Sequence, residues 1–364
     1  MKLVLTRRRI AVAIAVAAAV GLTACQAPAK NVRTTPVTSV QNAAAKTDVT
    51  QRVLSDGLYE MTYAPAEKAL YVASAQGFKD VNGGVLYRLD PITLATTGQT
   101  HTDYKNFGMA SDPDGHVFYT TNSLDGAVSK VDAKTGKVLK RVMFTEKGPD
   151  GDPMGAREIL WHEGKLFIGA VGDPGLVWVV DAETMTLKTR IKNAGKWVTG
   201  IIYSPTADRI YAANGGGEIL VINPKTYRIE QRWTPGDGKS YLFLNMATDP
   251  KTGHLFVTDD SKAKTTLVFD ERTGKVIKRL DGDALGIKFD AKRNAVFISQ
   301  RESKKVLQLD ATTLAVKKSW SFETHPNSLL ISPDGQSLYV TLKQDFNDDN
   351  STKGPDSVAR IALN

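Results

Sequence analysis

The sequence is poor in the residues that most often carry covalent cross-links or enzyme chemistry. Its 364 residues include one cysteine and five histidines. With a single cysteine, Cys25, no disulfide can form within the chain in any redox compartment. The sequence has no HExxH, GxSxG or paired-cysteine motif, so zinc and nucleophilic mechanisms lack their usual parts. These absences favour a protein that is not an enzyme.

The apolar run at residues 10–22, IAVAIAVAAAVGL, is too short to be a permanent transmembrane helix. A basic segment precedes it, and residues 22–25, LTAC, resemble the bacterial lipobox, in which the cysteine is lipidated. Residues 1–25 are therefore predicted to be a lipoprotein signal peptide that is cleaved before Cys25. Gln26, rather than aspartate, favours sorting to the outer membrane, so we expect an anchored protein that faces the periplasm. The alternative is a secretory signal with a chance cysteine.

Residues 26–47 are rich in alanine, threonine and proline and show no periodicity, which is typical of a flexible tether. Such a tether has an end-to-end distance of roughly 25 Å. The formal net charge of the whole chain is +8, and removal of the four basic residues of the signal lowers it to about +4. A net charge of about +4 is too small to cause strong polyanion binding by itself.

One phrase recurs along the rest of the chain. It reads SDPDGHVFYTT at 111–121, SPTADRIYAAN at 204–214, TDPKTGHLFVT at 248–258 and ISPDGQSLYVT at 331–341. The spacing predicts a repeat of about 44 residues. Each repeat contains a hairpin of two strands, a third strand and a fourth strand.

The third strand of most repeats ends in the pattern [DN]-x-x-T. The six pairs are Asp90–Thr93, Asp132–Thr135, Asp181–Thr184, Asn223–Thr226, Asp270–Thr273 and Asp310–Thr313. A short acidic or amide side chain can bond the backbone two or three residues ahead, and a threonine hydroxyl can help to close the turn. These aspartates are therefore predicted to be structural. Lysine and arginine crowd the fourth strands, where they are expected to be solvated charges that protect an exposed sheet edge.

Four short antiparallel strands per repeat predict an all-β fold, a β-propeller over residues 48–364. The predicted blades begin near Tyr59, Phe107, Arg157, Thr199, Leu244, Gly286 and Asn327, which makes seven. The last repeat ends without a fourth strand. Residues 49–55, VTQRVLS, have the alternation of that missing strand, so we expect the N-terminal strand to close the ring.

The second strands are similar to YVTN-type propeller repeats, and the chain more closely resembles the YncE family of periplasmic seven-bladed propellers. The matching strings include GLYEMTY (57–63), GGVLYRLDPITL (83–94), ARE (156–158), THPNSLLISPDGQSLYVTLKQ (324–344) and VARIAL (358–363). The resemblance covers residues 50–364. It implies a non-enzymatic protein, to which DNA binding has been attributed. The lipobox and the long tether are departures from what the resemblance implies.

The longest insertions lie between second and third strands or between blades, which puts them on one face of a propeller. Variable loops on one face mark the usual binding side of a repeat scaffold. Residues that begin the first strands should surround the channel there. The predicted ligand-binding residues are Tyr59, Glu60, Phe107, Arg157, Glu158, Thr199, Asn245, His325 and Asn327. This mixture suits a polar ligand.

The nature of the ligand stays open between a small molecule, single-stranded DNA and another envelope protein, bound by a monomer. DNA would place phosphates on basic side chains and stack bases on Tyr59, Phe107 or Phe78. The loops carry about as many acids as bases, so only a weak, salt-sensitive contact with DNA is expected.

Two metal hypotheses arise from the acidic residues. Asp345, Asn347, Asp349 and Asp356 have EF-hand-like spacing, but the glycine and the final glutamate of that motif are missing, so a solvated loop is favoured over a Ca²⁺ site. The alternative function is a divalent-metal hydrolase or lactonase at the channel mouth. Its metal would be held by Glu60, Glu158, Asn245 and Asn327.

Overall fold

The computed structural model describes residues 48–77, 81–349 and 351–363. Within these ranges the chain forms 28 β-strands and two short 3-10 turns, Pro65–Glu67 and Ser123–Asp125. None of these helical turns is long and apolar enough to cross a membrane. The predicted signal peptide, Cys25 and the tether lie outside the described residues and stay predictions.

The strands pair into seven separate four-stranded sheets, and each sheet is one blade of a propeller. The strand that comes first in the chain, β1 (Val49–Ser55), belongs to the last blade. Blade 1 contains β2 (Leu58–Ala64), β3 (Ala69–Ser74), β4 (Gly84–Leu89) and β5 (Thr96–Thr102). Blade 2 contains β6 (Met109–Ser111), β7 (Val117–Asn122), β8 (Ala127–Asp132) and β9 (Val138–Met143).

Blade 3 contains β10 (Gly155–His162), β11 (Lys165–Val171), β12 (Val177–Asp181) and β13 (Thr186–Ile191). Blade 4 contains β14 (Val198–Ser204), β15 (Arg209–Asn214), β16 (Ile219–Ile222) and β17 (Ile229–Trp233). Blade 5 contains β18 (Phe243–Asp249), β19 (His254–Asp259), β20 (Thr265–Asp270) and β21 (Lys275–Asp281). Blade 6 contains β22 (Ile287–Asp290), β23 (Ala295–Gln300), β24 (Lys305–Asp310) and β25 (Val316–Ser321). Blade 7 contains β26 (His325–Ile331), β27 (Ser337–Lys343), β28 (Asp356–Ala362) and β1.

The N-terminal strand closes the ring, as the sequence predicts. β1 runs antiparallel to β28, with Val49 opposite Ile361 and Arg52 opposite Val358. It therefore takes the outer position that a fourth strand takes in the other six blades. The seven-bladed all-β fold and its N-terminal closure are both confirmed.

The hydrophobic core is divided among the interfaces between neighbouring blades. The buried apolar side chains of the described residues form seven clusters, one for each pair of adjacent blades. Between blades 2 and 3, for example, the rings of Phe144 and Trp178 stack with their centroids 3.9 Å apart. The second strands are buried on both faces along nearly their whole length, which explains their apolar runs such as ALYVA, VFY and LYV.

The tyrosine of the recurring phrase links each of three blades to the next. Its hydroxyl donates a hydrogen bond to the backbone carbonyl that follows the third strand of the neighbouring blade. The three bonds are Tyr71 to Ala133 (2.5 Å), Tyr119 to Ala182 (2.9 Å) and Tyr339 to Pro91 (3.0 Å). Most buried hydroxyls have such a partner, so these three tyrosines have a structural role, whereas the equivalent Tyr211 hydroxyl of blade 4 is buried without one among the described residues.

The hydroxyl two residues after the tyrosine position has a second structural role. In blade 2, Thr121 Oγ1 accepts from the backbone N–H of Gly108 and donates to the carbonyl of Arg157 in blade 3, at 2.7 and 2.9 Å. Thr258 and Ser299 make the equivalent bonds in blades 5 and 6. These hydroxyls fasten the first strand of one blade to the first strand of the next.

The [DN]-x-x-T turns have the geometry that the sequence predicts. Asp132 Oδ1 accepts from the backbone N–H and from the hydroxyl of Thr135, both at 2.7 Å. The backbone N–H of the threonine bonds the same side-chain oxygen in the other five copies. The Thr135 bonds hold the pKa of Asp132 below its usual value. These aspartates are turn residues.

On the outer strands, three arginines form ion pairs, whereas the sequence predicted solvated charges there. Arg141 forms an ion pair with Asp103 at 2.6 Å, and Arg279 forms one with Asp237 at 2.9 Å. A third pair joins Arg190 to Glu146. Each of these acids lies in the segment that leads into the blade of its arginine, so the three arginines hold blade connections in place rather than present unpaired charge.

Candidate functional site

The first strands of five blades are irregular where they enter the channel. The pairing of first and second strands shifts between Leu58 and Met61, Ala156 and Ile159, Val198 and Gly200, Phe243 and Met246, and Pro326 and Leu329. Such β-bulges turn side chains away from the regular alternation and are common beside binding sites. The residues inside these shifts include seven of the nine predicted ligand-binding residues: Tyr59, Glu60, Arg157, Glu158, Thr199, Asn245 and Asn327.

These bulges lie at one end of the first strands, on the face that carries the long loops. We call this end the channel mouth and this face the mouth face. The loops on the mouth face include the described residues 75–77 and 81–83, 144–154, 172–176, 234–242, and 344–349 with 351–355. The turns that join first to second strands and third to fourth strands lie on the opposite face, which we call the turn face. The predicted placement of the insertions agrees with these strand bounds.

Two aromatic side chains meet at the mouth. The rings of Tyr59 and Phe107 lie 4.7 Å apart between centroids and are tilted by 56°. Phe107 is buried, whereas Tyr59 is half-buried. Burial is the largest cause that raises the pKa of Tyr59, to about 12, while the guanidinium groups of Arg301 and Arg157 act in the opposite direction. Cations from blades 6 and 3 thus lie close enough to affect one phenol.

A buried ion pair, Lys343 with Asp356, lies next to the ring of Tyr59 and joins the last blade to the first. Lys343 Nζ lies 4.2 Å from the centroid of the Tyr59 ring and 3.1 Å from Asp356 Oδ2. The Asp356 carboxylate also accepts from the backbone N–H groups of Leu58 and Gln344, at 2.9 and 2.7 Å. Burial lowers the pKa of Lys343, and Asp356 opposes that change. Both charges are satisfied within the protein, so this pair is structural.

Two carboxylates at the mouth, Glu60 of blade 1 and Glu158 of blade 3, interact electrostatically. Burial, and next the negative charge of Glu60, raise the pKa of Glu158 to about 7, against the cations of Lys288 and Arg157. Glu60 is oriented by Ser328, whose hydroxyl donates to Glu60 Oε1 at 2.6 Å. Carboxylates close together resist simultaneous ionisation, so this pair holds a proton near neutral pH.

Several charged side chains at or beside the mouth have no protein partner for their charge. They are half-buried, and they form no hydrogen bond or ion pair through the side chain with any described residue. The set is Asp56, Arg157, Glu158, Lys288 and Arg301. Asp56 acts electrostatically on Lys343, which connects it to the same region. We call these five residues the unpaired set.

The other predicted site residues have partners within the protein. Thr199 is buried, and its hydroxyl lies 3.1 Å from the carbonyl of Ala213 and 2.6 Å from that of Phe243. Asn245 Nδ2 donates to the carbonyl of Leu285 at 2.9 Å, and Asn327 Nδ2 donates to Ser328 Oγ at 3.0 Å. The Thr199–Phe243 and Asn245–Leu285 bonds connect neighbouring blades, whereas the Asn327–Ser328 bond lies within β26.

His325 is fixed at both ring nitrogens. Nδ1 lies 2.8 Å from the carbonyl of Arg301, and Nε2 lies 2.8 Å from Asp345 Oδ1. The contact with His325 is the first cause that lowers the pKa of Asp345. His325 therefore ties the loop 344–355 to the end of β23 and positions the backbone of Arg301.

The four candidate calcium ligands do not converge. Asp356 is buried against Lys343, Asp345 bonds His325, and Asn347 Nδ2 donates to Ser351 Oγ at 2.9 Å. Asp349 Oδ1 accepts from the backbone N–H of Ser351. Across the described ranges, no group of three or more histidine, cysteine, aspartate or glutamate side chains is placed to hold a metal ion.

Sequence reasoning missed Lys288, Arg301 and Lys343. Lys343 lies in the string that carries the family resemblance, directly after the recurring phrase, and its apolar strand could have suggested a buried role. Arg301 follows a second strand and enters the mouth from a loop, so no periodic pattern identifies it. Lys288 lies just past the positions at which the first strands of other blades bulge. Its place in the sequence therefore gave no sign that its ammonium group acts electrostatically on Glu158.

The fold and this mouth define a class, the seven-bladed β-propellers with an open polar channel end. A search of solved structures agrees on the fold: the β-propeller domain of Cps50 (Swd1) from Myceliophteria thermophila matches with a TM-score of 0.63 and 11% identity, over 86% of this chain and 100% of that one. No protein-family model matches the chain.

Curated relatives place the chain within this class. "Uncharacterized protein YncE" of Salmonella typhimurium is 35% identical over 333 residues, which is 90% of this chain and 94% of that protein. The protein of the same name from Escherichia coli K12 is 34% identical with the same coverage. "Antigen Lp49" of Leptospira interrogans is 27% identical over 176 residues, 46% of this chain and 38% of that protein. The chain belongs to the YncE family, which confirms the resemblance seen in its motifs.

Proposed function

We propose that this protein is a non-catalytic binding protein of the cell envelope, which takes a polar ligand or partner at its channel mouth. The observation that carries the proposal is the unpaired set. A half-buried charge without a partner is costly, so such groups persist where a bound molecule completes their contacts. Loops of unequal length surround the same mouth, as is usual on the binding side of a repeat scaffold.

Native mass spectrometry of the protein purified without chelator tests this function. We expect a bound mass that is lost in Arg157→Ala and kept in Arg228→Ala, which removes an exposed arginine near the outer edge of blade 4. A macromolecular partner would instead cross-link to a photoreactive residue placed at Glu302, which is exposed on the mouth face. An apo mass together with no cross-linked product in cells would refute the proposal.

The envelope location rests on the lipobox-like residues 22–25 and on the tether composition. The proposed protein faces the periplasm and is held at the outer membrane by a lipid on Cys25. Cys25→Ser should move it from the membrane fraction to the soluble fraction, whereas Thr34→Ser, within the tether, should not. Unchanged fractionation of Cys25→Ser would show that the anchor is wrong.

Single-stranded DNA is a weaker candidate for the partner. Its phosphates could meet Arg157 and Arg301, with a base stacked on Tyr59. The carboxylates of Glu60 and Glu158 would repel phosphates at the same mouth. A DNA contact should therefore be weak, fall linearly with salt on a log–log plot and weaken further in Arg157→Ala. Binding that ignores both salt and the variant would contradict it.

We do not extend the proposal to a metal-dependent hydrolase. Fold alone licenses no chemistry, and no nucleophile–base pair identifies a reaction among the described mouth residues.

A further inference from the structure

The repeated tyrosine contact is missing at one blade interface, on the turn face between blades 4 and 5. In blades 1, 2 and 7 the tyrosine hydroxyl donates to the carbonyl of the residue that follows the third strand of the next blade. Tyr211 has this position in blade 4, and its buried hydroxyl has no hydrogen-bond partner among the described residues. The residue that follows the third strand of blade 5 is Glu271.

Glu271 departs from the repeat through its side chain alone. Its backbone N–H donates to the carbonyl of Gly253 at 2.9 Å, which is the bond that the equivalent residues of blades 2, 3 and 6 also make. The equivalent residues of the other blades with this turn are Pro91, Ala133, Ala182, Pro224 and Ala311. A long carboxylic acid therefore replaces a short side chain, and it is 7% exposed.

The Glu271 carboxyl group has too few donors for a buried negative charge. Its Oε2 accepts from Ser204 Oγ of blade 4 at 2.8 Å, whereas its buried Oε1 has no hydrogen-bond partner in the described part of the chain. By contrast, the buried carboxylate of Asp356 has a lysine and two backbone N–H groups. Burial raises the pKa of Glu271, and the bond from Ser204 acts in the opposite direction. Such an environment favours the neutral acid.

The charged groups around Glu271 do not supply the missing partner. Asp249 and Asp270 are negative and raise its pKa further. Asp249 is held by the hydroxyl of Thr252 at 2.6 Å, and Asp270 pairs with Arg272 at 2.8 Å. On β15, beside Tyr211, the guanidinium group of Arg209 pairs with Glu230 at 2.7 Å.

Buried polar atoms without a partner concentrate around blade 4. The described residues contain five such side-chain atoms, and three of them flank this blade: His162 Nε2, Tyr211 Oη and Glu271 Oε1. His162 belongs to blade 3 and stacks on Tyr203, on the side of β14 away from Glu271. Burial lowers its pKa, so its dependence on pH has the opposite sign.

We propose that Glu271, Ser204 and Tyr211 form an acid-dependent latch between blades 4 and 5. In mild acid the carboxyl group keeps its proton, accepts from Ser204 and donates to the Tyr211 oxygen. As the pH rises through the raised pKa of Glu271, the proton is lost to solvent and a carboxylate with one neutral donor stays buried. The interface then opens more readily. The latch does not depend on the ligand-binding function proposed above.

Hydrogen–deuterium exchange of the full chain between pH 5 and 8, corrected for the intrinsic rate, tests the latch. The protein carries Glu158→Gln throughout, because that carboxyl has its own pH dependence. Protection of β15 and β20, which face each other across this interface, should fall by about tenfold or more towards pH 8. Protection of β7, in blade 2, should not follow it.

Three substitutions separate the latch from a merely structural contact. Glu271→Gln keeps the shape without a charge and should abolish the pH dependence while keeping the protection at pH 8. Glu271→Ala, the residue of three other blades, should also abolish it. Tyr211→Phe should reduce protection more at pH 5 than at pH 8, because the protonated carboxyl loses its acceptor. Glu183→Gln, an exposed control, should change nothing.

Other results overturn the latch and leave the binding function untouched. If Glu271→Gln keeps the pH dependence, or lowers protection equally at every pH, Glu271 does not titrate at this interface. If β7 changes together with β15 and β20, the pH dependence belongs to the whole ring. Native mass spectrometry of Arg157→Ala tests ligand binding separately, so its failure and the failure of the latch are distinguishable.

Discussion

The two faces of this propeller use the same kinds of side chain for different purposes. On the turn face, six Asp or Asn side chains recur in register, and each bonds the backbone three residues ahead. On the mouth face, the five members of the unpaired set appear once each, and two of them, Arg157 and Glu158, lie where a first strand shifts its register. A polar residue that repeats with the blades serves the fold, whereas one that departs from the repeat can serve either the fold or a ligand.

The Lys343–Asp356 pair is an instructive exception on the mouth face, because it is charged, unrepeated and structural. Its two members are almost fully buried, with side-chain exposures of 5% and 0%. Position on the mouth face is therefore insufficient to assign function. What separates this pair from the unpaired set is that the protein supplies every partner the two charges need.

The largest expected effect comes from breaking this pair. Asp356→Ala leaves Lys343 buried without a counter-ion and removes the acceptor of two backbone N–H groups. The free energy of unfolding should fall by about 3–5 kcal/mol, measured by urea denaturation. Asp348→Ala, an exposed change in the same loop, should cost less than about 0.5 kcal/mol. Equal losses in the two variants would show that Asp356 is not part of the ring closure.

A smaller effect on the free energy of unfolding, of opposite sign, is expected when Glu158 is replaced. The folded state raises the pKa of Glu158 from 4.5 to about 7 and so binds more protons than the unfolded chain between these pH values. The contribution of the Glu158 carboxyl to stability is present below pH 4.5 and is lost as the pH rises through 7. Glu158→Gln should therefore stabilise the protein at pH 8 by about 2 kcal/mol.

The matched control for that prediction is Glu183→Gln, an exposed glutamate in a turn of blade 3. Its unfolding free energy should follow that of the wild-type protein at every pH. If Glu158→Gln also follows the wild type between pH 5 and 8, the folded state does not raise the pKa of Glu158.

Substitutions on the turn face should lower the free energy of unfolding by smaller amounts, and these losses should be additive. Asp132→Ala removes two hydrogen bonds from Thr135 and should cost about 1 kcal/mol. The folded state lowers the pKa of Asp132, so this contribution is present above the usual aspartate pKa and is lost as the pH falls through the lowered value. Asp90→Ala in the neighbouring blade should add to it without coupling, and a strong coupling in the double variant would contradict independent turns.

The smallest effect on stability is expected at Arg157, where the side chain and the backbone have different roles. The carbonyl of Arg157 accepts from Thr121 Oγ1, and this bond does not depend on the guanidinium group. Arg157→Ala should change the unfolding free energy by less than about 0.5 kcal/mol, although it should weaken ligand binding. Thr121→Val, the matched change to the same contact, should cost about 1 kcal/mol. A large loss of stability in Arg157→Ala would mean that its charge serves the fold.

The fold could be read from the sequence because each blade repeats the same local chemistry. The apolar second strands, the turn aspartates and the alternation of residues 49–55 each depend on neighbours within a few positions along the chain. The N-terminal strand has the bounds that its pattern predicts, Val49–Ser55.

The candidate site could be read only in part. Pairs such as Tyr59–Glu60 and Arg157–Glu158 begin first strands, so the topology alone brings them to the channel mouth. Thr199 was assigned to the same set on the same grounds, yet its hydroxyl bonds two backbone carbonyls. Position along a strand predicts the end of the channel to which a residue belongs, but does not predict its hydrogen bonds.

The sequence by itself determined the seven blades, the closing strand and the face on which binding is expected, because these follow from periodic patterns and short turns. Only the tertiary structure decided which charges at that face are paired. Asp356 bonds the backbone of Leu58, 298 residues away, and Glu158 interacts electrostatically with Glu60 from another blade. Ring closure sets such contacts between distant segments, and the energy of a buried charge depends on those segments rather than on its neighbours in the chain.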